Sequence, residues 1–185
     1  MGLLDAMLGR TKVPKANLDD LFALPSAALS LEAAAGLRPT GTGSVCFRAA
    51  QGGAFAATQA EIEQLLGAGG PKPEKVDDSY GFTWLVSRRD DVGELVTELH
   101  AINSSLVDAQ FGNALLCSVL GFAGNGRRLG LVYLFKRGTF YPFAPLPGEK
   151  RDNALELEVR GVLAGELRIE PELNRWFPVW GAPGV

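Results

Sequence analysis

The sequence predicts an α+β domain, a mainly antiparallel sheet built from hairpins with helices packed on one face. Three observations carry that expectation. Two apolar runs, Leu115–Phe122 and Leu129–Phe135, flank Gly124-Asn125-Gly126. An Asn-Gly pair between such runs forms a type I′ hairpin, because both central residues accept positive φ. Behind the capping pair Asp90-Asp91, residues Val92, Leu95, Val96, Leu99, Ile102 and Leu106 form one helical stripe. The elements then follow the order α–β–β–α–β–α–β–β–β–α–α, without the regular strand–helix alternation of a parallel sheet.

Each element rests on local chemistry. Residues 1–9 place Leu3, Leu4, Met7 and Leu8 on one side of two helical turns, followed by Arg10, Lys12 and Lys15. Residues 1–15 therefore read as an amphipathic, basic segment and 16–185 as a single α+β domain. An apolar face beside cations suits docking on its own domain, on a partner or on an anionic membrane surface. Asn17 and Asp19-Asp20 precede Leu21-Phe22-Ala23-Leu24, a short helix that Pro25 is expected to stop. Residues 26–34 and 44–50 read as strands, joined by a loose hairpin through Gly36, Pro39, Gly41 and Gly43. The Gly41/Gly43 pair is no phosphate loop, because that fingerprint needs strand–glycines–helix order and Ser44-Val45-Cys46-Phe47 continues as a strand.

Phe55, Ile62, Leu65 and Leu66 fall at near-helical spacing in 54–67, and the Gly- and Pro-rich run that follows ends that helix. Tyr80–Ser87 is aromatic and β-branched, which predicts a central strand. After the stripe helix and the Asn-Gly hairpin, a third short strand is expected at Thr139–Phe143. Residues 153–164 satisfy both strand alternation and helical spacing. Asn153 with Glu156 matches a capping box and Gly165 sits where a helix would stop, so a helix is expected. A last short helix starts at Pro171, ahead of Trp176 and Trp180, which read as core plugs near the C-terminus.

Composition narrows the chemistry more than the fold. A chain of 185 residues with 46% hydrophobic positions can bury roughly 70% of its unfolded surface without staples. It holds one His, His100, and two Cys, Cys46 and Cys117. A structural zinc site needs four Cys or His ligands, and a catalytic one usually at least two His. Iron–sulfur clusters, zinc fingers, haem attachment and the common zinc hydrolases are disfavoured on that arithmetic, and no metal or cofactor is expected. Carboxylate-held Mg²⁺ or Ca²⁺ passes the same filter. Both Cys lie in apolar, strand-like runs, as buried reduced thiols do. The N-terminal stretch carries an acid, Asp5, and too short an apolar run for a secretory signal. With no window of eighteen apolar residues, a cytoplasmic location is expected.

Charge is unevenly spread. Residues 127–151 hold Arg127, Arg128, Lys136, Arg137, Lys150 and Arg151 against Glu149 alone, whereas 152–174 is dominated by acids. With a net charge of −3, pairing of the two blocks after folding is favoured over nucleic-acid binding, which usually needs a basic excess. The only Cys–His candidates are Cys46 or Cys117 with His100, and both Cys sit mid-strand where nucleophiles are rare. No Gly-x-Ser-x-Gly elbow occurs. Asp77-Asp78 and Asp90-Asp91 occupy turn or cap positions. No catalytic residue is assigned.

One segment looks chosen for contact: Lys136-Arg137-Gly138-Thr139-Phe140-Tyr141-Pro142-Phe143. Alternating cations and aromatics serve protein interfaces and single-stranded nucleic-acid grooves, and aromatics also fill core strands. Lys136, Arg137, Phe140 and Tyr141 are the candidate partner-binding residues, with Leu3, Leu4, Met7 and Leu8 as a membrane or partner docking helix. An apolar pocket lined by 136–143 would instead indicate a small ligand, and a flat basic face would indicate nucleic acid.

Several blocks resemble a known family. They are Met1-Gly2-Leu3-Leu4-Asp5 with Leu8-Gly9-Arg10, Leu21-Phe22-Ala23-Leu24-Pro25-Ser26, Arg38-Pro39-Thr40-Gly41 with Gly43-Ser44-Val45-Cys46-Phe47-Arg48, the 136–145 segment, and Arg175-Trp176-Phe177-Pro178 with Trp180. Together, and in this order, they resemble PspAB, an actinobacterial family named for its association with PspA. The resemblance implies a non-enzymatic accessory protein of a phage-shock-type envelope-stress system, acting through protein–protein contacts. It implies PspA or an HtpX-type membrane protease as partners and a place at the inner face of the membrane. It brings no catalytic residues.

Overall fold

Local signals at the first helix pull in opposite directions, and packing decides between them. The computed structural model describes residues 17–48 and 52–185; the expected docking helix with Leu3, Leu4, Met7 and Leu8 lies outside them. Asn17 caps a 3₁₀ helix, Leu18–Ala23, by accepting the Asp19 N–H. Pro25 then starts a helix rather than stopping one: it sits in the first turn of α1 (Leu24–Ala35), where no backbone donor is required. The strand expected over 26–34 is therefore helix. Leu24, Ala27, Ala28, Leu31 and Ala35 bury one side of it, and its residues include no β-branched side chain. Gly36 ends α1 at φ 65°, donating its N–H to the Glu32 carbonyl at 3.1 Å.

Strand β1 (Arg38–Phe47) starts directly after this cap, so Gly41 and Gly43 lie within a strand and not in a hairpin turn. Helix α2 (Gly53–Gly67) follows as expected. Strand β2 (Glu74–Asp77), short and largely exposed, is an element the sequence pattern does not announce. Strand β3 (Thr83–Arg88) pairs with β2 and β1, one place in from an edge rather than at the centre. Helix α3 (Val92–Asp108) begins where Asp91 accepts the Glu94 N–H at 2.8 Å. Strands β4 (Leu115–Gly124) and β5 (Arg127–Leu134) form the expected hairpin, with Asn125 and Gly126 at φ 53° and 72°. Strand β6 (Thr139–Phe143) completes the sheet.

Helix α4 (Asn153–Leu163) resolves the ambiguous segment as helix, but its cap is Asp152, which accepts the Leu155 N–H at 3.0 Å. Glu156, expected in a capping box, turns inward and accepts from the Ala144 N–H and Arg151 Nε, both at 2.8 Å. The last short helix is a 3₁₀ turn, Leu173–Arg175.

The sheet order is β2-β3-β1-β4-β5-β6 and every pairing is antiparallel. Alternate residues divide between two faces. On one face Leu120, Phe122, Leu131, Tyr133 and Phe140 pack against α1, α4 and the start of α3. Val45, Leu85 and Leu115 on that face meet Leu99, Ile102 and Leu106 of α3 and Phe55 of α2. On the other face Cys46, Trp84, Cys117, Val132 and Tyr141 are covered in part by the C-terminal segment, through Trp176 and Ala182. Burial on both sides explains why β4 and β5 read as nearly unbroken apolar runs. The C-terminal backbone lies so close to the sheet that a Cβ on Gly121 would stand 2.2 Å from the Gly184 carbonyl oxygen.

The basic and acidic blocks do pair. Arg127 meets Glu158 at 3.4 Å, Arg137 meets Glu170 at 2.6 Å and Arg151 meets Glu156 at 2.8 Å.

Candidate functional site

On the sheet face turned away from the helices lies a cleft of about 510 Å³. Its floor is made by Cys46, Trp84, Cys117 and Tyr141, one each from β1, β3, β4 and β6. The loop Asp78–Phe82 forms one wall and the C-terminal segment Phe177–Trp180 the other. Leu116, Leu134, Lys136 and Arg137 close the remaining side.

Both walls are tied down by hydrogen bonds within the protein. Asp78 Oδ1 accepts the N–H groups of Tyr80 and Phe82, each at 2.9 Å, and Oδ2 accepts from Trp84 Nε1 at 2.9 Å. Burial pushes the Asp78 carboxyl up, but these donors outweigh it and hold it below the usual carboxylate range. In the opposite wall the Tyr141 hydroxyl donates to the Phe177 carbonyl at 2.8 Å, and Trp176 Nε1 donates to the Glu170 carbonyl at 3.0 Å. Arg151 donates to the Trp176 carbonyl. Burial drives the Tyr141 phenol far above its ordinary value, so it remains a neutral donor. The Trp180 ring meets Phe143 edge-on at 4.9 Å and so fixes the lip of the cleft.

Cys46 and Cys117 stand directly opposite each other on β1 and β4, as free thiols. Their mutual hydrogen bond and burial push the Cys46 thiol far upward, which keeps it protonated and a poor nucleophile. At the rim, Arg137 is committed to Glu170, a carboxylate with 0% exposure that also accepts from Thr139 Oγ1 at 2.7 Å and the Glu172 N–H at 3.2 Å. Burial raises Glu170, but the Arg137 and Thr139 hydrogen bonds prevail and leave it below its ordinary value. Lys136 is exposed and makes no ion pair among the described residues.

The 136–143 segment does not present one continuous contact face. Strand pleating sends neighbours to opposite sides, so Phe140 lies in the helix-side core against the Tyr133 ring at 4.9 Å. Tyr141 belongs to the cleft floor, and the two are each 1% exposed. Lys136, Arg137 and Tyr141 therefore converge on the cleft, while Phe140 supports the sheet from behind. A flat basic face of the kind nucleic acid would need is not what this strand forms. Trp176 is buried as a core plug, whereas Trp180 is only half-buried and lines the cleft.

The Cys117–His100 pair is not assembled. Asn103 on α3 donates to Ser118 Oγ at 2.8 Å, so Ser118 faces the helices and its neighbour Cys117 faces the other way. His100 sits in the helix layer, 3.1 Å from Asp19 Oδ1 and with its ring 4.8 Å from that of Phe22. Asp91 acts as the expected helix cap. Among the described residues no group of three or more His, Cys, Asp or Glu could hold a metal ion. No helix among them is long and apolar enough to cross a membrane.

Pattern reading does not single out Trp84, Asp78, Phe82 or Phe177–Trp180 as parts of one site. The available signal was the aromatic bias of 80–84 and 176–180, two stretches far apart in sequence. The family model described as PspA associated protein B matches residues 1–184. No curated protein and no solved structure matches the chain.

Proposed function

The chain belongs to the PspA associated protein B family, and from that premise we propose that it is a non-enzymatic accessory protein of a phage-shock-type envelope-stress system, working by contact. One observation carries the contact reading. The cleft has apolar walls and two large aromatic lips, Tyr80 and Phe177, that are 56% and 57% exposed. Exposed aromatics around an apolar pocket are what a partner's apolar anchor residue requires.

The chemistry of the cleft points the same way. The Asp78 and Glu170 carboxylates are occupied in holding their own loops, and the Cys46 thiol is held protonated. In this reading PspA is the partner, an HtpX-type membrane protease is the alternative, and Lys136 and Arg137 give the docking its direction. Leu3, Leu4, Met7 and Leu8 supply a second contact, placing the protein peripherally at the inner face of the membrane.

Capture of PspA on immobilised chain tests the reading, with Tyr80→Asp/Phe177→Asp as the cleft variant. Both side chains are exposed, so folding should survive, and capture should fall by about tenfold or more. Undiminished capture would move the contact elsewhere. If neither PspA nor the protease is retained, and anionic vesicles are not bound at low salt, the contact reading fails.

A second reading has its own support. A volume of about 510 Å³ lies within the range of roughly 300–1,000 Å³ typical of small-molecule sites, and strand 136–143 contributes to its lining. The cleft would then hold a small apolar ligand.

A further inference from the structure

Resting on the small-ligand reading of the cleft, we propose that its ligand is a single-chain amphiphile with an anionic head, the tail lying over Trp84 and Cys117 and the head meeting Lys136. The polar groups inside the cleft are already matched to one another. Trp84 Nε1 donates to Asp78, the Tyr141 hydroxyl donates to the Phe177 carbonyl, and the Cys46 and Cys117 thiols stand opposite each other. A ligand group entering this space meets mainly aromatic rings, thiols and Leu134. A polar group would lose its hydration there without replacement, whereas a hydrocarbon chain gains by leaving water.

The rim has the opposite character. Asp78 has both oxygens occupied, and Arg137 is neutralised by Glu170. Lys136 is exposed and has no ion-pair partner among the described residues. Its flexible four-carbon stem can lie along the apolar lip while the ammonium reaches a head group in water. Tyr80 and Phe177, exposed on either lip, suit the part of the chain between head and floor. An apolar interior with exposed Lys136 at its mouth fits a molecule that is apolar at one end and negative at the other.

The test uses the full chain with three probes below their micellar concentrations: dodecanoate, dodecyl phosphate and methyl dodecanoate. Binding is read by calorimetry and by tryptophan quenching with tail-brominated dodecanoate. The expected result is one saturable site for both anionic probes. Lys136→Glu should weaken those two about fivefold or more and leave the neutral ester within about twofold.

Equal affinity for anionic and neutral probes, or no response to Lys136→Glu, would overturn the anionic head while keeping the small-ligand reading. If none of the probes binds, the inference and the small-ligand reading both fall, and PspA capture decides the contact reading by itself. Binding to anionic vesicles without binding of monomeric probes would likewise overturn the inference and make the membrane surface the ligand.

Discussion

Replacing Glu170 by glutamine should cost about 2–3 kcal/mol at neutral pH, because one buried carboxylate organises the edge of the sheet and the cleft rim together. Its side chain is wholly inaccessible and accepts from Arg137 Nε at 2.6 Å, Thr139 Oγ1 at 2.7 Å and the Glu172 N–H at 3.2 Å. Glutamine keeps the volume but only one acceptor oxygen; Arg137 Nε and Thr139 Oγ1 share Oε2 while the Glu172 N–H and Arg137 Nη2 share Oε1, so one of these two sets of donors loses its acceptor. The Arg137 side chain is 38% exposed, and water recovers part of what it loses. Thr139 is 7% exposed and must either keep its bond or remain unsatisfied.

A hydrogen bond to a charged group is worth about 1.5–3 kcal/mol, which sets the figure. At about 2–4 °C per kcal/mol for a chain of this size, the melting temperature should drop by roughly 5–10 °C. Because folding lowers the Glu170 pKa, the native carboxylate contributes its stability above the unfolded value of about 4.3. That contribution is lost as pH falls through the lower folded value, so the wild-type advantage must shrink under acid. Urea midpoints for both proteins between pH 7 and pH 2.5 measure it. Equal midpoints at pH 7, or a gap that fails to narrow below pH 5, would refute the reasoning.

Other perturbations test other parts of the molecule. Gly121→Ala would drive a Cβ to within 2.2 Å of the Gly184 carbonyl oxygen. It should destabilise by about 1–3 kcal/mol and speed carboxypeptidase trimming, whereas unchanged trimming would mean that the segment is not seated there. Asn103 is fully buried and donates to the Leu99 carbonyl at 2.7 Å and Ser118 Oγ at 2.8 Å. Asn103→Ala should lower stability by about 2–3 kcal/mol, read as a shift of the urea midpoint at constant slope. The Cys46 thiol should resist a disulfide reagent at pH 8 in the native protein and react once urea is added; rapid native reaction at Cys46 would contradict its buried, protonated state. Tyr141→Phe should cost about 1 kcal/mol through the lost bond to the Phe177 carbonyl, with a change in tryptophan emission as the C-terminal wall loosens.

Much of the fold was legible because its signals are local. Asn125-Gly126 determines its own turn, Asp91 caps the helix beginning one residue later, and the stripe from Val92 to Leu106 needs only helical geometry to become a face. The misread stretch shows the limit. Pro25 serves as a helix stop or a first-turn residue with equal ease, and the Ala-rich run 26–35 carries little hydrophobic contrast. Packing of Leu24, Ala28 and Leu31 against the sheet made it helix. The contact residues were half legible: Lys136, Arg137 and Tyr141 do gather at one site, but reading 136–143 as one face ignored the pleat that sends Phe140 into the opposite core.

The sequence by itself determined the α+β class, the hairpin at Asn125-Gly126, the Asp91-capped helix and a supply of histidine and cysteine too small for the common zinc and haem chemistries. Its family blocks also pointed to the relationship that the full-length match bears out. Only the tertiary structure decided where binding is possible. The cleft takes one floor residue from each of β1, β3, β4 and β6 and a wall from the C-terminal segment, so no window of sequence contains it. Its apolar character arises because Asp78 with Trp84 and Tyr141 with Phe177 satisfy one another across the fold. A polar side chain's availability depends on its partners in space, and those partners exist only once the chain has closed.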